Sequence, residues 1–519
     1  MIVHTPSQSL LLRTRNSLAI KSLLPKFKEI DFEGHNIAVR HGLDEVRVLR
    51  NLGIAAPPPI LHYYSWPGPP DKPPLWHQRE TAAFLTLHPR AFCFNEQGTM
   101  KTSSALWAAD YLMQIGQVRR CLVVCPLSSL NVTWMDEIFA FLMHRRACVV
   151  FGSRERRLEL LATNCHFYVV NHHGVEILAD DLRGRNDIDL VIGDECDVWR
   201  NGGTDLYNSI KAVTEKRRVW LMSGTPFPNA PTDAWALTRI VNPNRVPRYF
   251  SQWQRQTMLQ VSQYKWVPRK DSYEAAYQAA QPAIRFLKKD CLNLPPLTVV
   301  KRQAEISEEQ KKAYRQMKNQ AVLEARTQQI SAVNAADKIN KLRQVLCGVV
   351  KNTATGEYVE IDHTPRLEVL LEAIQHAQAK VIVIVPFKGI IRALEREMSQ
   401  LHTVAVLNGD VSLGHRTSII TQFKQHMDPH VLLCHPRVMA HSLNLAEADR
   451  LIFYAPIYSA GEEQQVRDRI ARPGQKNAMT IVRIGAAPLE WEIYRLLDER
   501  RVTQENILSL YKHEILGIH

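Results

Sequence analysis

Apolar residues in this chain gather in short runs separated by longer stretches of mixed polarity. "RAFCFN", "CLVVCPL", "HFYVVN", "LVIGDE" and "VWLMSGTP" follow one another in the first half. Each is apolar at successive rather than alternate positions, the pattern of a strand buried on both faces. The helix-like segments between them predict a parallel sheet covered by helices. From about Val241 to Val350 the strand-like runs vanish, and "SEEQKKAYRQMKNQAVLEARTQQISAVNAADKINKLRQVL" carries helix formers with intermittent apolar residues. The strand rhythm then returns in "AKVIVIVPF", "TVAVLNGD", "HVLLCHP", "RLIFYAP" and "MTIVRI".

The first seventy residues end in "GIAAPPPILHYYSWPGPPDKPP", too rich in Pro and Gly for continuous helix or central strand, and this reads as a boundary. The expected organisation is a small N-terminal accessory domain at 1–70, an α/β lobe at 71–243, a helical insert at 244–350 and a second α/β lobe at 351–519. The fold class is therefore α/β, two parallel-sheet lobes in tandem with a helical insert between them and an N-terminal appendage.

The 519 residues, 45% hydrophobic and 23% charged, are enough to bury a large core. Lys and Arg number 65 against 52 Asp and Glu, a formal charge of +13 that favours polyanionic partners, although a solvated basic surface accounts for it equally well. No long apolar run reads as a membrane span, and the apolar stretch before Arg13 is too short for a secretory segment, so a soluble intracellular protein is expected, cytoplasmic in a bacterial or phage-infected cell and nuclear in a eukaryote. The nine cysteines lack zinc-like spacing and are expected to be free thiols.

Candidate chemistry begins at "FCFNEQGTMKTSSALW". The run "RAFCFN" ends as a strand, "EQGTM" turns and "KTSSALWAADYLM" starts a helix, the setting in which backbone N–H groups and a helix N-terminus face a polyphosphate. Gly98 supplies a flexible position, Lys101 would hold the β and γ phosphates of ATP, and Thr102 would ligate Mg2+. Taken alone, a Lys-Thr pair opening a helix is common, and an exposed first turn competes with this reading. Further along, "DIDLVIGDECDVWRN" ends an apolar strand in Asp194-Glu195, at the sheet edge where α/β ligands bind. One carboxylate would hold the magnesium shell and the other orient the attacking water.

With these two segments in place, the chain resembles the Swi/Snf-type DNA translocases of helicase superfamily two, in order from about Leu75 to the C-terminal region. "LWHQRETAAFL" resembles the adenine-recognition element, which implies that Gln78 reads the adenine edge. "CLVVCPLSSLNVTWMDEI" matches a segment of DNA-backbone contacts, and "GDECDVWRN" resembles the Asp-Glu-x-His box with Asp197 and Arg200 in place of His and Lys. "LMSGTPFPNAPTDAWAL" resembles the segment that couples hydrolysis to movement. "IRFLKKDCLNLPP" and "KLRQVLCG" resemble later family elements, and "EEQQVRDRIARPGQ" fits Q-x-x-x-R-x-x-R-x-G-Q from Gln465 to Gln475.

The resemblance implies two RecA-like lobes, with Glu195, Lys101 and the finger arginines Arg469 and Arg472 as catalytic residues. The two arginines, three apart on a helix, share a face and would reach across an interlobe cleft to ATP. ATP would be bound by Gln78, Gly98, Thr99, Lys101, Thr102 and Gln475, and magnesium by Thr102 and Asp194. Ser223, Gly224 and Thr225 would couple the cycle, while Pro126, Ser128, Ser129, Asn171 and Asn444 would touch DNA.

The chain departs from the family loop Asp-Glu-Met-Gly-Leu-Gly-Lys-Thr at Asn95, Gln97, Thr99 and Met100. In the second lobe, Ala455, Tyr458 and Ser442 replace an Asp, a Trp and a Gly. The expected activity is ATP-driven translocation on double-stranded DNA by a compact bacterial or phage protein, with other nucleic-acid, replication or recombination proteins as further partners and no membrane. Strand separation on DNA or RNA, and a DNA clamp with little turnover, are the alternatives.

Overall fold

The computed structural model describes the chain apart from residues 15–16, 25, 225, 228–229, 263–265, 328–331, 353–354, 440–444, 500–503 and 515–519. It forms two units, Met1–Cys291 and Leu292–His519. The first opens with β1 (Ile2–His4), β2 (Ser9–Leu12), β3 (Phe27–Phe32) and β4 (His35–Arg40), an antiparallel sheet in the order β1-β2-β4-β3. Next come β5 (Arg90–Cys93), β6 (Arg120–Cys125), β7 (Ala147–Val149), β8 (Phe167–Asn171), β9 (Ile188–Asp194) and β10 (Arg218–Met222). A short hairpin, β11 (Met258–Gln260) with β12 (Trp266–Pro268), precedes β13 (Ala283–Ile284). The parallel sheet of this unit runs β13-β5-β10-β9-β6-β8-β7.

Alternation along each strand divides the first unit's core between the two sheet faces. Ala91, Cys93, Val123, Cys125, Ile192 and Met222 belong to one apolar cluster, while Phe92, Phe94, Leu122, Val124, Val191 and Leu221 belong to another. Burial on both faces is why these strands read as unbroken apolar runs. The second unit repeats the logic with β14 (Leu297–Gln303), a hairpin of β15 (Val349–Lys351) and β16 (Tyr358–Glu360), then β17 (Lys380–Ile384), β18 (Val404–Leu407), β19 (Val431–Cys434), β20 (Ala448–Phe453) and β21 (Met479–Gly485). Its parallel sheet is ordered β14-β21-β20-β17-β19-β18, with Ile382 and Ile384 on one face and Val381 and Val383 on the other.

Two expectations change. The stretch 244–350 is not one helical insert: β13 extends the first sheet and β14 pairs with β21 in the second. The long helices Glu308–Thr327 and Ala332–Cys347 account for the helical reading of its later part. β14 escaped notice because its burial pattern is almost wholly exposed, so "LTVVKRQ" lacks the continuous apolar run that marked the other strands. The Pro-rich stretch, read as a boundary, is packed onto the first lobe. Tyr64 donates to Asp110 at 2.7 Å, Trp107 donates to the Pro67 carbonyl at 2.8 Å, and the Trp66 and Trp107 rings meet edge-on at 5.6 Å. Proline bars helix there but not burial, and one apolar cluster runs from Leu10 to Met222.

The nine cysteines are free, six of them buried. Among the described residues no helix is long and apolar enough to cross a membrane.

Candidate active site at the edge of the first sheet

Parallel strands bring their C-terminal ends to one edge, so the loops after β5, β6, β8, β9 and β10 lie side by side. Cys93 and Asp194 flank Met222 in register, and Cys125 pairs with Asn171. The described sequence-predicted residues of the first unit fall at these strand ends, on these loops or on the helices that flank them. Gln78 lies on the helix Trp76–Leu87 and Lys101 begins the helix Lys101–Gln114.

The phosphate-type loop is held by its own carbonyls. The Lys101 ammonium donates to the Asn95 carbonyl at 3.0 Å and to that of Glu96 at 3.4 Å. Thr99 donates its hydroxyl to the Glu96 carbonyl at 2.7 Å. Gly98 has φ +83, a conformation glycine adopts without strain. Met100, immediately before the lysine, has φ 58 and ψ 49. The left-handed turn expected of a glycine is thus made by a side-chain-bearing residue, at a cost of about 1–2 kcal/mol. Asn95 is buried and fastens the loop on both sides, donating to Thr81 at 2.8 Å and accepting from the Phe286 backbone at 2.9 Å.

The acidic strand end meets this loop. Asp194 accepts from the Trp134 indole at 3.1 Å and from the Glu195 backbone at 3.1 Å. Burial pushes its carboxyl above the usual carboxylate range; Glu195 adds to the rise and Lys101 opposes it. Burial likewise pushes the Cys93 thiol up to about 11, with Lys101 lowering it and Asp194 raising it, so ammonium and carboxyl both lie within electrostatic reach of one sulfur. Glu195 is itself left-handed, at φ 48 and ψ 51. Asp197 is pushed up to about 7, by burial first and by Glu195 second. Three carboxyl groups thus crowd one strand end.

Ser223 donates its backbone N–H to the Cys93 carbonyl at 3.2 Å. A Cβ on Gly224 would stand 2.5 Å from Gln97 Cγ, so the segment after β10 lies directly against the loop after β5. Gln97 also donates to Glu195 at 3.4 Å. Thr102 lies buried in the first turn of its helix. The structure thereby brings together Gly98, Thr99, Lys101, Thr102, Asp194, Glu195, Ser223 and Gly224; Thr225 lies outside the described residues.

Other residues take different positions. Gln78 points inward, 2% exposed: its carbonyl accepts from the Leu75 backbone at 2.9 Å and its amide donates to Ser103 at 2.8 Å. It ties two helices together in this state, instead of presenting its amide to an adenine edge. Beside it Trp76, 54% exposed, stands edge-on to Phe286 at 5.1 Å and to His77 at 5.8 Å. Pro126, Ser128 and Ser129 form the turn after β6, where the Ser128 hydroxyl is buried with no hydrogen-bond partner among the described residues. Asn171 ends β8 and accepts from Arg157 at 3.2 Å.

In the second unit, Arg469 is 3% exposed near the end of the helix Ala460–Ile470 and donates to the Met439 carbonyl at 3.1 Å. Arg472 is half-buried and donates to the Asp468 carbonyl at 2.9 Å. Gln475 donates to the carbonyls of Ala448 at 2.8 Å and Ile470 at 3.3 Å, and accepts from the Asn477 backbone at 3.0 Å. Those bonds fasten the start of β20 to the loop after the arginine helix. Tyr458 lies under the Arg343 guanidinium at 4.3 Å. Asn444 and Ser442 lie outside the described residues.

Trp134 and Gln97 escaped the sequence reading as contributors to this edge. Trp134 is 60 positions from the carboxylate it holds, and no local spacing signals that pairing. Gln97 was visible only as a departure from the family loop.

Comparison with known proteins bears on the same residues. Residues 77–350, more than half the chain, match the SNF2-related domain, and residues 365–474 match the helicase conserved C-terminal domain. An uncharacterized ATP-dependent helicase of Mycoplasma genitalium is 23% identical over 400 residues, covering 75% of this chain and 37% of its own length. The mouse DNA excision repair protein ERCC-6 is 24% identical, covering 72% of this chain and 27% of its own. Protein p41 of Acyrthosiphon pisum secondary endosymbiont phage 1 is 23% identical, covering 80% and 94%. The chain thus spans about a third of the first two relatives and nearly all of the phage protein. A solved structure, the Sulfolobus solfataricus SWI2/SNF2 ATPase core in complex with dsDNA, covers 84% of this chain and 93% of its own at 19% identity, with a TM-score of 0.41.

Proposed function

The chain belongs to the SNF2 family of ATP-dependent helicases, and from that premise we propose that it is an ATP-driven motor that moves along double-stranded DNA, remodelling DNA or protein–DNA complexes. The observation that carries this reading is the convergence at one sheet edge of Lys101, the Asp194-Glu195 pair and Gly224, with Gln97 touching the last two.

In this reading Lys101 exchanges its bonds to the Asn95 and Glu96 carbonyls for phosphate oxygens, and the N–H groups that open its helix add partial positive charge. Glu195 accepts a proton from the attacking water, and the bond from its backbone N–H to Asp194 anchors its main chain at the strand end. The donor set fits a magnesium ion, since Thr102 and Asp194 offer hard oxygen ligands and an acidic edge; when bound, the ion supplies charge neutralisation to the phosphates. Arg469 and Arg472 are proposed to place cationic charge on the transferring phosphoryl group. Adenine recognition by Gln78 requires it to release Leu75 or Ser103; the exposed Trp76 offers a stacking face next to it.

DNA is engaged mainly through phosphates, in keeping with the formal +13, by Pro126, Ser128, Ser129 and Asn171 in the first unit and Asn444 in the second. ATP hydrolysis measured without nucleic acid and with single strands, duplex DNA or RNA tests the proposal. Duplex DNA should stimulate turnover most, and the stimulation should weaken as salt rises. Equal stimulation by single strands, or affinity indifferent to salt, overturns the duplex-motor reading.

A further inference from the structure

Gln97 stands where the family loop resembled by this chain has an apolar methionine, and the fold gives its polar end a defined setting. The side chain is 5% exposed. Gly224 confines it, because any Cβ there would overlap its Cγ at 2.5 Å. Its amide nitrogen donates to Glu195 Oε1 at 3.4 Å, while its carbonyl oxygen is buried with no hydrogen-bond partner among the described residues.

An orphaned buried acceptor costs about 1–3 kcal/mol, so a native fold retains one where a ligand or water completes it. Turning the amide over would face its oxygen toward the Glu195 carboxylate and bury an unpaired NH2 group, so electrostatics favours the orientation described. The donor end of the amide is thus directed at the candidate base, and among the described residues the acceptor end is left for a hydrogen that a ligand or water brings. A water presented to Glu195 offers such a hydrogen. Gly224 adds a second link, since a shift of the segment after β10 must move Gln97 and, through it, the carboxylate.

Resting on the ATPase reading above, we propose that Gln97 is a positioning residue for hydrolysis: it orients Glu195 through its nitrogen, aligns the water through its carbonyl oxygen, and transmits the position of Ser223-Gly224 to both. The described bond of Gln97 is to the candidate base and not to the loop lysine, so loss of this amide lowers kcat and spares KM for ATP.

The test is steady-state hydrolysis on saturating duplex DNA for the wild type, Gln97→Met, Glu195→Gln and the double variant, with melting midpoints recorded for each. Gln97→Met should lower kcat about tenfold with KM within about twofold, and should cost less than about twofold more in the Glu195→Gln background, because the amide acts through that carboxylate. Gln97→Asn, which keeps an amide but withdraws it from Glu195, should reproduce the kcat loss without creating apolar surface. Unchanged kcat in Gln97→Met and Gln97→Asn, or an equal loss with and without Glu195, overturns this proposal while leaving the motor standing. A wild type without turnover overturns the motor reading, and this proposal with it.

Discussion

In the first unit, polar side chains around the ends of β5 and β9 meet across distant segments: Gln97 meets Glu195, Trp134 meets Asp194, and among the described residues Lys101 is held by the carbonyls of its own loop. In the second unit, Arg469 and Gln475 reach backbone carbonyls of neighbouring elements and help to hold the fold. Lys101, Asp194 and Glu195 in the first unit and Arg469 and Gln475 in the second all stand at family spacing. Spacing therefore locates a polar residue, and only its partners separate a group waiting for a ligand from one that is already fastening the chain.

The comparison breaks most sharply at Lys101. Its bonds are to loop carbonyls that phosphate oxygens can replace, so Lys101→Ala should lower DNA-stimulated hydrolysis by roughly 10³-fold or more while melting stays within a few degrees of wild type. Hydrolysis that survives the substitution would make the loop a structural turn.

Arg472 and Arg469 divide the second unit in the same way. Arg472→Ala removes a half-buried guanidinium that donates to the Asp468 carbonyl, and should cost roughly 10²-fold in turnover with the fold intact. Arg469→Met removes a 3% exposed guanidinium that binds Met439, and should lower the melting midpoint as well as turnover, by about 1–3 kcal/mol of stability. Equal melting of the two variants would show that the difference in burial has no energetic content. Gln475→Leu should be nearly pure in the structural sense. Losing its bonds to Ala448 and Ile470 should cost about 2 kcal/mol, several degrees of melting, with little change in the turnover of the protein that remains folded.

What was legible in the sequence follows from where the signal lay. β5, β6, β8, β9 and β10 were readable because both faces of the sheet are buried and the apolar residues stand next to one another. β14 was not, because an exposed edge strand needs no apolar run, and β13, of two residues, is too short to show a period. The packing of the Pro-rich strap was not legible because proline reports on backbone conformation and says nothing of whether Tyr64 and Trp66 find a partner. The placement of Lys101, Asp194 and Glu195 at or just after the ends of β5 and β9 was legible. The inward turn of Gln78 was not, since its partners Leu75 and Ser103 are ordinary residues that no spacing rule connects to it.

The smallest expected effect concerns Met100, the one position where the phosphate loop carries its own strain. At φ 58 and ψ 49 a side chain costs about 1–2 kcal/mol that glycine avoids. Glycine also loosens the unfolded chain by roughly 0.5–1 kcal/mol, so Met100→Gly should leave a net gain of about 0.5–1 kcal/mol and raise the melting midpoint by a degree or more. Turnover should be kept or raised, because the groups with direct chemistry, Lys101, Thr102, Asp194 and Glu195, are untouched. Calorimetry and hydrolysis on the same preparations separate the outcomes. A rise in both places the strain of this loop at Met100. A gain in stability with lost turnover would mean that the side chain holds the lysine in place, and the left-handed methionine would then belong to the working site.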